Sequence, residues 1–376
     1  MGRYAVKGSM GATTGSSPKR TGPVKKKAKH KAIVAVDLFC GVGGLTRGLL
    51  DAGIQVVAGY DIAEECQYPF EHNNRPAVFK KQSVSDITGE ELSGLYPSDC
   101  WRVLVGCAPC QPFSRYTQGI DASSDEKWGL LRHFARLAEA LKPHVISMEN
   151  VSELQRYSIF DEFVNRLEAA GYKTTSSVVS CPDYGIPQHR NRLVLFASLL
   201  GPISMPPPTH TPDRYPTVRG TISHLPKLRA GKASATDALH RSSRLSPLNL
   251  RRIRASRPGG TWRDWDAELV APCHRKKEGK TYPSVYGRMA WDSPSPTITT
   301  QFFGFGNGRF GHPEQNRAIS LREGALLQTF PADYEFVQPD ATYYMKAIGR
   351  LIGNAVPVRL GEVIGNSIGG HFGEYE

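Results

Sequence analysis

Long apolar runs are missing from this sequence, and no stretch approaches the roughly eighteen residues that a membrane-spanning helix needs. The amino-terminal residues also lack the apolar segment of a secretion signal, so we expect a cytoplasmic protein without membrane association. A disulfide framework is missing too, because the seven cysteines are odd in number and scattered, and we expect reduced thiols. These absences leave a soluble globular chain of 376 residues with one large or two moderate domains.

Acidic residues are absent from positions 1–31, which carry nine lysines and arginines. Because this segment also has few apolar residues, we predict a disordered basic tail, which either touches phosphates or has no role. Basic residues outnumber acidic ones seventeen to seven in residues 199–295, and the rest of the chain is net acidic. This uneven surplus favours a polyanionic partner, with nucleic acid first, although arginines that only keep a surface soluble would give the same counts.

One short stretch is typical of a reactive site: Gly106-Cys107-Ala108-Pro109-Cys110, which follows an apolar run. A strand that ends in small residues and proline delivers its last side chains into a crevice, so Cys110 is our candidate nucleophile. A redox or zinc site uses the same spacing of two cysteines. However, zinc needs a second pair, which the other five cysteines do not form, and Pro109 and Pro112 favour a loop over the helix of a thioredoxin-like centre.

A β-branched run at 32–36, a glycine-rich turn and an amphipathic segment at 45–52 predict the first unit of a doubly wound α/β sheet. The third glycine of the dinucleotide fingerprint is missing, since Thr46 stands in its place, which argues against a pyrophosphate ligand and a dehydrogenase. The next strand ends at Asp61, whose carboxylate can accept hydrogen bonds from ribose hydroxyls. A nucleoside without pyrophosphate fits both observations, and S-adenosylmethionine is such a ligand.

Periodicity predicts further helices over 62–72, 128–141 and 159–170, and further strands over 77–82, 145–148, 174–179 and 193–196. Asp86 either accepts a bond from an adenine amino group or caps a turn. Glu149 follows a strand and either shares the crevice with Cys110 or caps a helix. Arg190 and Arg192 alternate at the start of a strand, where they could steady Glu149 or a bound base. The polar loop 115–126 is long enough to act as a lid.

Four blocks in series resemble the signature of the DNA (cytosine-5) methyltransferases. They are Asp37-Leu38-Phe39-Cys40-Gly41-x-Gly43-Gly44, Pro109-Cys110-Gln111-Pro112-Phe113-Ser114, Glu149-Asn150-Val151 and Gln188-x-Arg190-x-Arg192. Two later blocks, Arg322-Glu323-x-Ala325-x-Leu327-Gln328-x-Phe330-Pro331 and Gly353-Asn354-Ala355-Val356-Pro357, resemble the last two of the family. The resemblance covers about residues 33–198 and 290–370.

The resemblance implies that Cys110 adds to carbon 6 of cytosine, that Glu149 protonates or hydrogen-bonds ring nitrogen 3, and that Arg192 holds the base. Arg190 belongs to the same catalytic set, and no metal is implied. It implies S-adenosylmethionine binding by residues in several blocks: Asp37, Phe39, Gly41, Gly43, Gly44, Asp61, Asp86, Ile87, Asn354 and Val356. The family's acid at the end of the second strand often lies two positions before Asp61, where this chain has Gly59. Asp61 is therefore the acid that we assign to the ribose in this chain.

The implied architecture is a Rossmann-like catalytic domain, residues 32–198 plus 345–376, with a smaller, loop-rich target-recognition domain over residues 199–344. Clustered prolines between positions 202 and 216 mark the same boundary as a stiff linker. We expect arginines of the stretch 241–263 to meet phosphates and base edges, and turns in 297–311 to lie near the DNA. Gly304, Gly306 and Gly308 equally fit turns without DNA contact.

The expected partner is double-stranded DNA, bound by a monomer that associates with the nucleoid. A cognate restriction endonuclease, if there is one, would not be needed for activity. Two rival interpretations remain: a cytosine-5 methyltransferase acting on transfer RNA shares these blocks, whereas a silent DNA-binding relative would lack the nucleophile or the carboxylate. The basic segment between the arginine strand and the last blocks favours a DNA reader.

Overall fold

The computed structural model describes residues 31–109 and 126–376, so the predicted tail, Cys110 and nearly all of the 115–126 loop lie outside the described residues. The strands are β1 (Ala32–Leu38), β2 (Gln55–Asp61), β3 (Val78–Lys81), β4 (Cys100–Gly106), β5 (Val145–Val151), β6 (Lys173–Ser180) and β7 (Asn191–Ser198). The helices are α1 (Gly44–Asp51), α2 (Gln67–Asn73), α3 (Gly89–Ser93), α4 (Glu126–Leu141), α5 (Ser158–Ala169), α6 (Val218–Ile222), α7 (Pro247–Ala255), α8 (Pro272–Arg275), α9 (Leu321–Leu327), α10 (Met345–Asn354) and α11 (Val358–Gly373). Within these ranges, no helix has the length and apolar character needed to cross a membrane.

The seven strands form one sheet in the order β3-β2-β1-β4-β5-β7-β6. β1 to β5 pair in parallel, whereas β7 runs antiparallel to both β5 and β6. The strand order reverses at β1 and β4, which places a crevice at their carboxyl ends. This arrangement confirms the predicted doubly wound, Rossmann-like α/β fold.

Side chains alternate between two cores because successive residues of a strand face opposite sides of the sheet. In β1, Val34 and Val36 lie in one buried cluster with residues of α3, α4 and α5. Ala35 lies in the other cluster, with residues of α1, α2 and α11. These strands carry apolar residues on both faces, so helices must cover both sides of the sheet.

The predicted helix over 62–72 is shorter in the structure. Residues Glu64–Cys66 form a single 3-10 turn, and the α-helix begins at Gln67. Pro69 explains the difference, since a proline lacks the N–H that an earlier helical turn would require and is tolerated only near a helix start. As a result Ile62, directly after β2, stays outside the helix and is 70% exposed.

The last helix packs against the first through glycines that let the backbones meet. A Cβ added to Gly48 of α1 would lie 2.3 Å from the Val358 carbonyl oxygen and 2.4 Å from the Glu362 nitrogen. A Cβ on Gly361 of α11 would lie 2.9 Å from the Leu45 carbonyl oxygen. A side chain cannot fit at these distances, so Gly48 and Gly361 must be glycine for the two helices to cross this closely.

We expect Gly48→Ala to destabilise the protein by about 2–3 kcal/mol, because the methyl group has only backbone atoms to displace. Gly370→Ala in α11 is the matched control: nothing lies within 4 Å of its added Cβ. That change should stabilise the helix by up to about 1 kcal/mol. Urea unfolding of the two variants measures both effects, and equal stabilities would refute the close crossing.

Residues 199–344 consist mainly of loops and four short helices. A small satellite core of Ile253, Trp262, Trp265, Leu269, Phe305 and Ala318 lies among them. The buried guanidinium of Arg288 donates hydrogen bonds to the carbonyl oxygens of Ile253 (2.8 Å), Ser256 (2.9 Å) and His312 (2.7 Å). In a region without a sheet, this side chain satisfies backbone carbonyls that a strand ladder would otherwise pair.

Candidate active site

Two of the predicted blocks, those at Asp37 and Glu149, meet the end of β4 at the carboxyl edge of the sheet. Leu38 is in register with Gly106, and Gly106 with Met148. The next residue on each chain, Phe39, Cys107 and Glu149, therefore lies at the same edge of the sheet. We call the space above these three residues the crevice.

The turn after β1, residues 39–43, is here called the glycine loop. Phe39, Gly41 and Gly43 all have positive φ, at 58°, 52° and 88°. Asp61 Oδ2 accepts a hydrogen bond from the Gly41 nitrogen at 3.0 Å, which ties the loop to the end of β2. A Cβ added to Gly41 would meet nothing within 4 Å. The loop thus presents backbone to open space, as a ligand-binding turn requires.

Gly43 and Gly44 face protein rather than open space. A Cβ on Gly43 would lie 2.4 Å from Asn74 Nδ2, and one on Gly44 would lie 2.3 Å from the Val356 carbonyl oxygen. Packing alone accounts for glycine at both positions. Of the three glycines assigned to the ligand, only Gly41 faces open space.

Asp61 is the carboxylate at the end of β2. Gly59, where the family often has the acid, cannot carry a side chain here: its Cβ would lie 2.4 Å from the Phe70 ring and 2.8 Å from Cys40 Sγ. Asp61 also accepts from the Ala63 nitrogen (2.9 Å), so its position is fixed on two sides. The sequence analysis does not assign the neighbouring Ile62 to the site. Ile62 is a large apolar side chain that is exposed beside this carboxylate, and this exposure marks it as a candidate ligand contact.

Asp37 lies beneath the glycine loop and is buried. The Thr46 hydroxyl donates to its Oδ2 at 2.6 Å, while Oδ1 has no hydrogen-bond partner among the residues that the structure describes. Burial raises the pKa of Asp37 to about 7, against the opposing effect of the Thr46 bond. Thr46, which breaks the dinucleotide fingerprint, therefore holds a carboxyl group under the loop.

The remaining predicted ligand-binding residues surround the same end of the sheet in different ways. Asp86 is exposed in a turn and accepts from the Ser85 hydroxyl at 2.9 Å, whereas Ile87 is buried in the core. Asn354 is exposed at the end of α10, and Val356 is buried beside Gly44. Asp86 and Asn354 thus present polar groups outward, while Ile87 and Val356 fix the segments that carry them.

Glu149 is the buried centre of a constellation of polar side chains beside the crevice. Arg192 Nε lies 2.8 Å from its Oε1, and the Cys107 thiol donates to its Oε2 at 2.8 Å. The antiparallel pairing of Val151 with Arg192 brings this arginine next to Glu149. Asn150 Nδ2 donates to the Ala108 carbonyl oxygen at 3.0 Å and so holds the chain just before Pro109 and Cys110.

Arg190 has a different neighbour from Arg192. Its Nη1 donates to the Ile298 carbonyl oxygen at 3.1 Å, and Gln188 Oε1 accepts from the Ile298 nitrogen at 2.8 Å. Gln188 also donates to Gln328 Oε1 at 2.8 Å. In the structure Arg192 contacts Glu149, and Arg190 fastens the 298 segment to β7.

A cavity of about 780 Å³ opens elsewhere, between α2 and α10, with Tyr68 and Ile348 among its lining residues. Its lining includes none of the predicted site residues that the structure describes. The described residues of the predicted site therefore lie apart from this cavity.

Comparison with known proteins agrees with the geometry. Residues 33–370 match the family described as C-5 cytosine-specific DNA methylase. Type II methylase M.HgiDII of Herpetosiphon aurantiacus is 54% identical over 336 residues, covering 89% of this chain and 94% of that protein. Type II methyltransferase M1.HphI of Haemophilus parahaemolyticus is 29% identical, covering 90% of this chain and 87% of its own length.

Solved structures show the same fold at lower identity. The crystal structure of Schizosaccharomyces pombe Dnmt2 methyltransferase has a TM-score of 0.56 and 17% identity, covering 92% of this chain and all of that one. A prophage-encoded protein of E. coli, assigned as a DNA modification methyltransferase, has a TM-score of 0.70 and 21% identity, covering 91% of this chain and all of its own. Fold and site define a methyltransferase with a Rossmann-like sheet. The chain belongs to the C-5 cytosine-specific DNA methylases and is a DNA (cytosine-5-)-methyltransferase.

Proposed function

We propose that this enzyme transfers the methyl group of S-adenosylmethionine to carbon 5 of a cytosine flipped out of duplex DNA, through a covalent bond between Cys110 and carbon 6. The observation that carries the proposal is the Glu149 constellation. A buried carboxylate has one oxygen at Arg192 and the other at Cys107, three residues before the proposed nucleophile. The register of β4 and β5 supports a carboxyl group and a thiol acting on one base.

The substrate demands this pair of groups. Carbon 5 of cytosine is too weak a nucleophile to attack a methyl sulfonium, so a thiolate must first form a bond to carbon 6 and leave an enamine. A carboxyl group at ring nitrogen 3 assists that addition by hydrogen bonding or protonation, and we assign this role to Glu149. Arg192 orients Glu149 and the base. After methyl transfer, loss of the carbon 5 proton restores the double bond and expels the Cys110 sulfur.

The described residues fit S-adenosylmethionine, which supplies an electrophilic methyl group on its sulfonium. Gly41 offers the open backbone cradle, Asp61 a carboxylate for the ribose, and Asp86 an exposed acceptor for an adenine amino group. Ile62, exposed beside Asp61, offers an apolar surface for a flat base. We assign Asn354 and Val356 to the same site because their segment packs against Gly44, directly after the glycine loop.

Flipping the base out of the duplex costs about a few kcal/mol of unstacking. Base flipping and sequence choice therefore require a DNA-binding surface beyond the crevice. We propose residues 199–344 as the target-recognition domain and residues 32–198 with 345–376 as the catalytic domain. Exposed arginines such as Arg254 support this, whereas Arg252 is buried and donates to the Leu269 carbonyl oxygen at 2.8 Å. Closure of the 115–126 loop would stabilise the flipped base.

The type II names of the relatives support a role in restriction-modification. We propose that the enzyme is a monomeric, nucleoid-associated modification enzyme whose methylation protects DNA from a cognate endonuclease. The endonuclease is not needed for methyl transfer, because every residue assigned to the chemistry belongs to this chain.

A methylation assay with radiolabelled S-adenosylmethionine tests the proposal. Unmethylated plasmid DNA should gain label that is recovered as 5-methylcytosine, and bisulfite sequencing of that DNA should show one recurrent target sequence. Transfer RNA, offered at equal cytosine concentration, should gain none. Labelled RNA with unlabelled DNA would overturn the substrate assignment, and absence of any transfer would overturn the donor assignment.

A further inference from the structure

A single carbonyl in the middle of the glycine loop carries this inference. Val42 lies between the left-handed residues Gly41 and Gly43 and is buried. Its carbonyl oxygen accepts a hydrogen bond from the hydroxyl of Tyr334, a residue distant in sequence. A buried carbonyl in a loop has no ladder partner, so a side chain must satisfy it. Tyr334 provides that bond where regular structure cannot.

The Tyr334 hydroxyl is itself held in place. Asn74 Nδ2 donates to it at 3.0 Å and to the Phe70 carbonyl oxygen at 2.8 Å. The same Asn74 nitrogen is the nearest neighbour of the space above Gly43. Tyr334 thus bonds Val42, Asn74 occupies the space next to Gly43, and Asp61 bonds Gly41.

Rigid surroundings keep the ring of Tyr334 in one position. It is 2% exposed and packs against Phe330, with centroids 4.7 Å apart, and against Phe336, at 5.2 Å. Arg322 Nη1 donates to its backbone carbonyl oxygen at 3.2 Å. Burial also raises the pKa of this phenol, which favours the protonated hydroxyl that serves as the donor.

We propose that Tyr334 is a positioning residue for the methyl donor: its hydroxyl fixes the Val42 carbonyl, and thereby the glycine loop, in the conformation that receives S-adenosylmethionine. This inference rests on the proposed use of that donor. With phenylalanine at 334, the Val42 carbonyl would turn towards water for part of the time. Affinity falls in proportion to the fraction of molecules that keep the competent loop, and we expect binding to weaken by about tenfold.

Isothermal titration of the full chain with S-adenosylmethionine tests this, comparing wild type, Tyr334→Phe and Tyr172→Phe. Tyr172 is the matched control, because it is 2% exposed and its hydroxyl donates to the Pro143 carbonyl oxygen at 2.8 Å. Both variants lose a buried hydroxyl-to-carbonyl bond, and Tyr334→Phe also loses the bond that its hydroxyl accepts from Asn74, so both should lose thermal stability. Only Tyr334→Phe should weaken donor binding and raise the KM for the donor, with duplex affinity and kcat at saturating donor within about twofold of wild type.

The outcomes separate the two proposals. A wild type that does not bind S-adenosylmethionine would refute the proposed function. If the wild type binds the donor and Tyr334→Phe binds it as tightly as the wild type does, the role of Tyr334 is refuted. Equal weakening of donor binding in Tyr334→Phe and Tyr172→Phe would refute it as well. Asn74→Ala keeps the tyrosine but removes the amide that orients it; this variant should weaken binding in the same direction and replaces Tyr334→Phe if the latter does not fold.

Discussion

Cys110→Ala is expected to abolish methyl transfer while binding of S-adenosylmethionine and duplex DNA persists. Truncation at the sulfur removes the atom that must bond to carbon 6, and little else, so the block falls on the covalent step alone. Transfer of labelled methyl groups should drop to the uncatalysed background, with filter binding of duplex DNA retained. Activity above background in Cys110→Ala would exclude this cysteine as the nucleophile.

Cys107→Ala is the matched control, three residues away. In the structure this half-buried thiol donates to Glu149, so its removal costs one weak hydrogen bond and leaves the Arg192 contact in place. We expect activity to remain, within about tenfold of wild type, since such a bond contributes about 1 kcal/mol.

Duplex DNA with 5-fluorocytosine at the target should trap wild type and Cys107→Ala covalently, because fluorine cannot leave as a cation, and should not trap Cys110→Ala. If both variants lost activity and the rate of the wild type depended on reductant, the paired-cysteine redox hypothesis would be revived.

Glu149→Gln is expected to slow methyl transfer by about 10²–10⁴-fold, the usual contribution of a general acid or base. Glutamine keeps the shape of the side chain but cannot deliver a proton to ring nitrogen 3, and it leaves the Arg192 guanidinium without a charged partner. Single-turnover methylation of duplex DNA measures the chemical step. Trapping by 5-fluorocytosine should slow by the same factor, because Glu149 assists the addition that precedes trapping.

Glu139→Gln tests whether loss of any acid–arginine pair has this effect. Glu139 pairs with Arg166 at 2.6 Å on α4 and α5, outside the crevice. Its loss should leave the single-turnover rate unchanged within error and cost at most about 1 kcal/mol of stability, as for other exposed pairs. A comparable slowing in both variants would mean that Glu149 acts through the fold rather than on the base.

The sequence was sufficient to predict a doubly wound α/β sheet, because its central strands, such as β1 and β4, are apolar runs buried on both faces. Boundaries were less certain. The fifth strand was predicted to end at Met148, yet β5 continues to Val151, since antiparallel β7 pairs with it as far as Arg192. Glu149 therefore lies within a strand, where its side chain has a fixed direction, instead of in a turn.

Roles within a run of identical residues could not be predicted. Gly41 and Gly43 look equivalent in the sequence, but only the space above Gly41 is open. Arg252 and Arg254 are two positions apart on α7, and only Arg254 is exposed. In both cases the deciding neighbour is distant in sequence, such as the Leu269 carbonyl for Arg252, and no local pattern encodes it.

The close crossing of α1 and α11 has a consequence for synthesis on the ribosome. Gly44 packs on Val356, and Gly48 on Val358, so the platform of the glycine loop joins segments about three hundred residues apart. A nascent chain that has exposed the whole sheet still lacks α11, and apolar residues of α1 such as Leu49 have no cover until it emerges. The nascent enzyme should therefore complete the platform of its glycine loop only after α11 has left the ribosome.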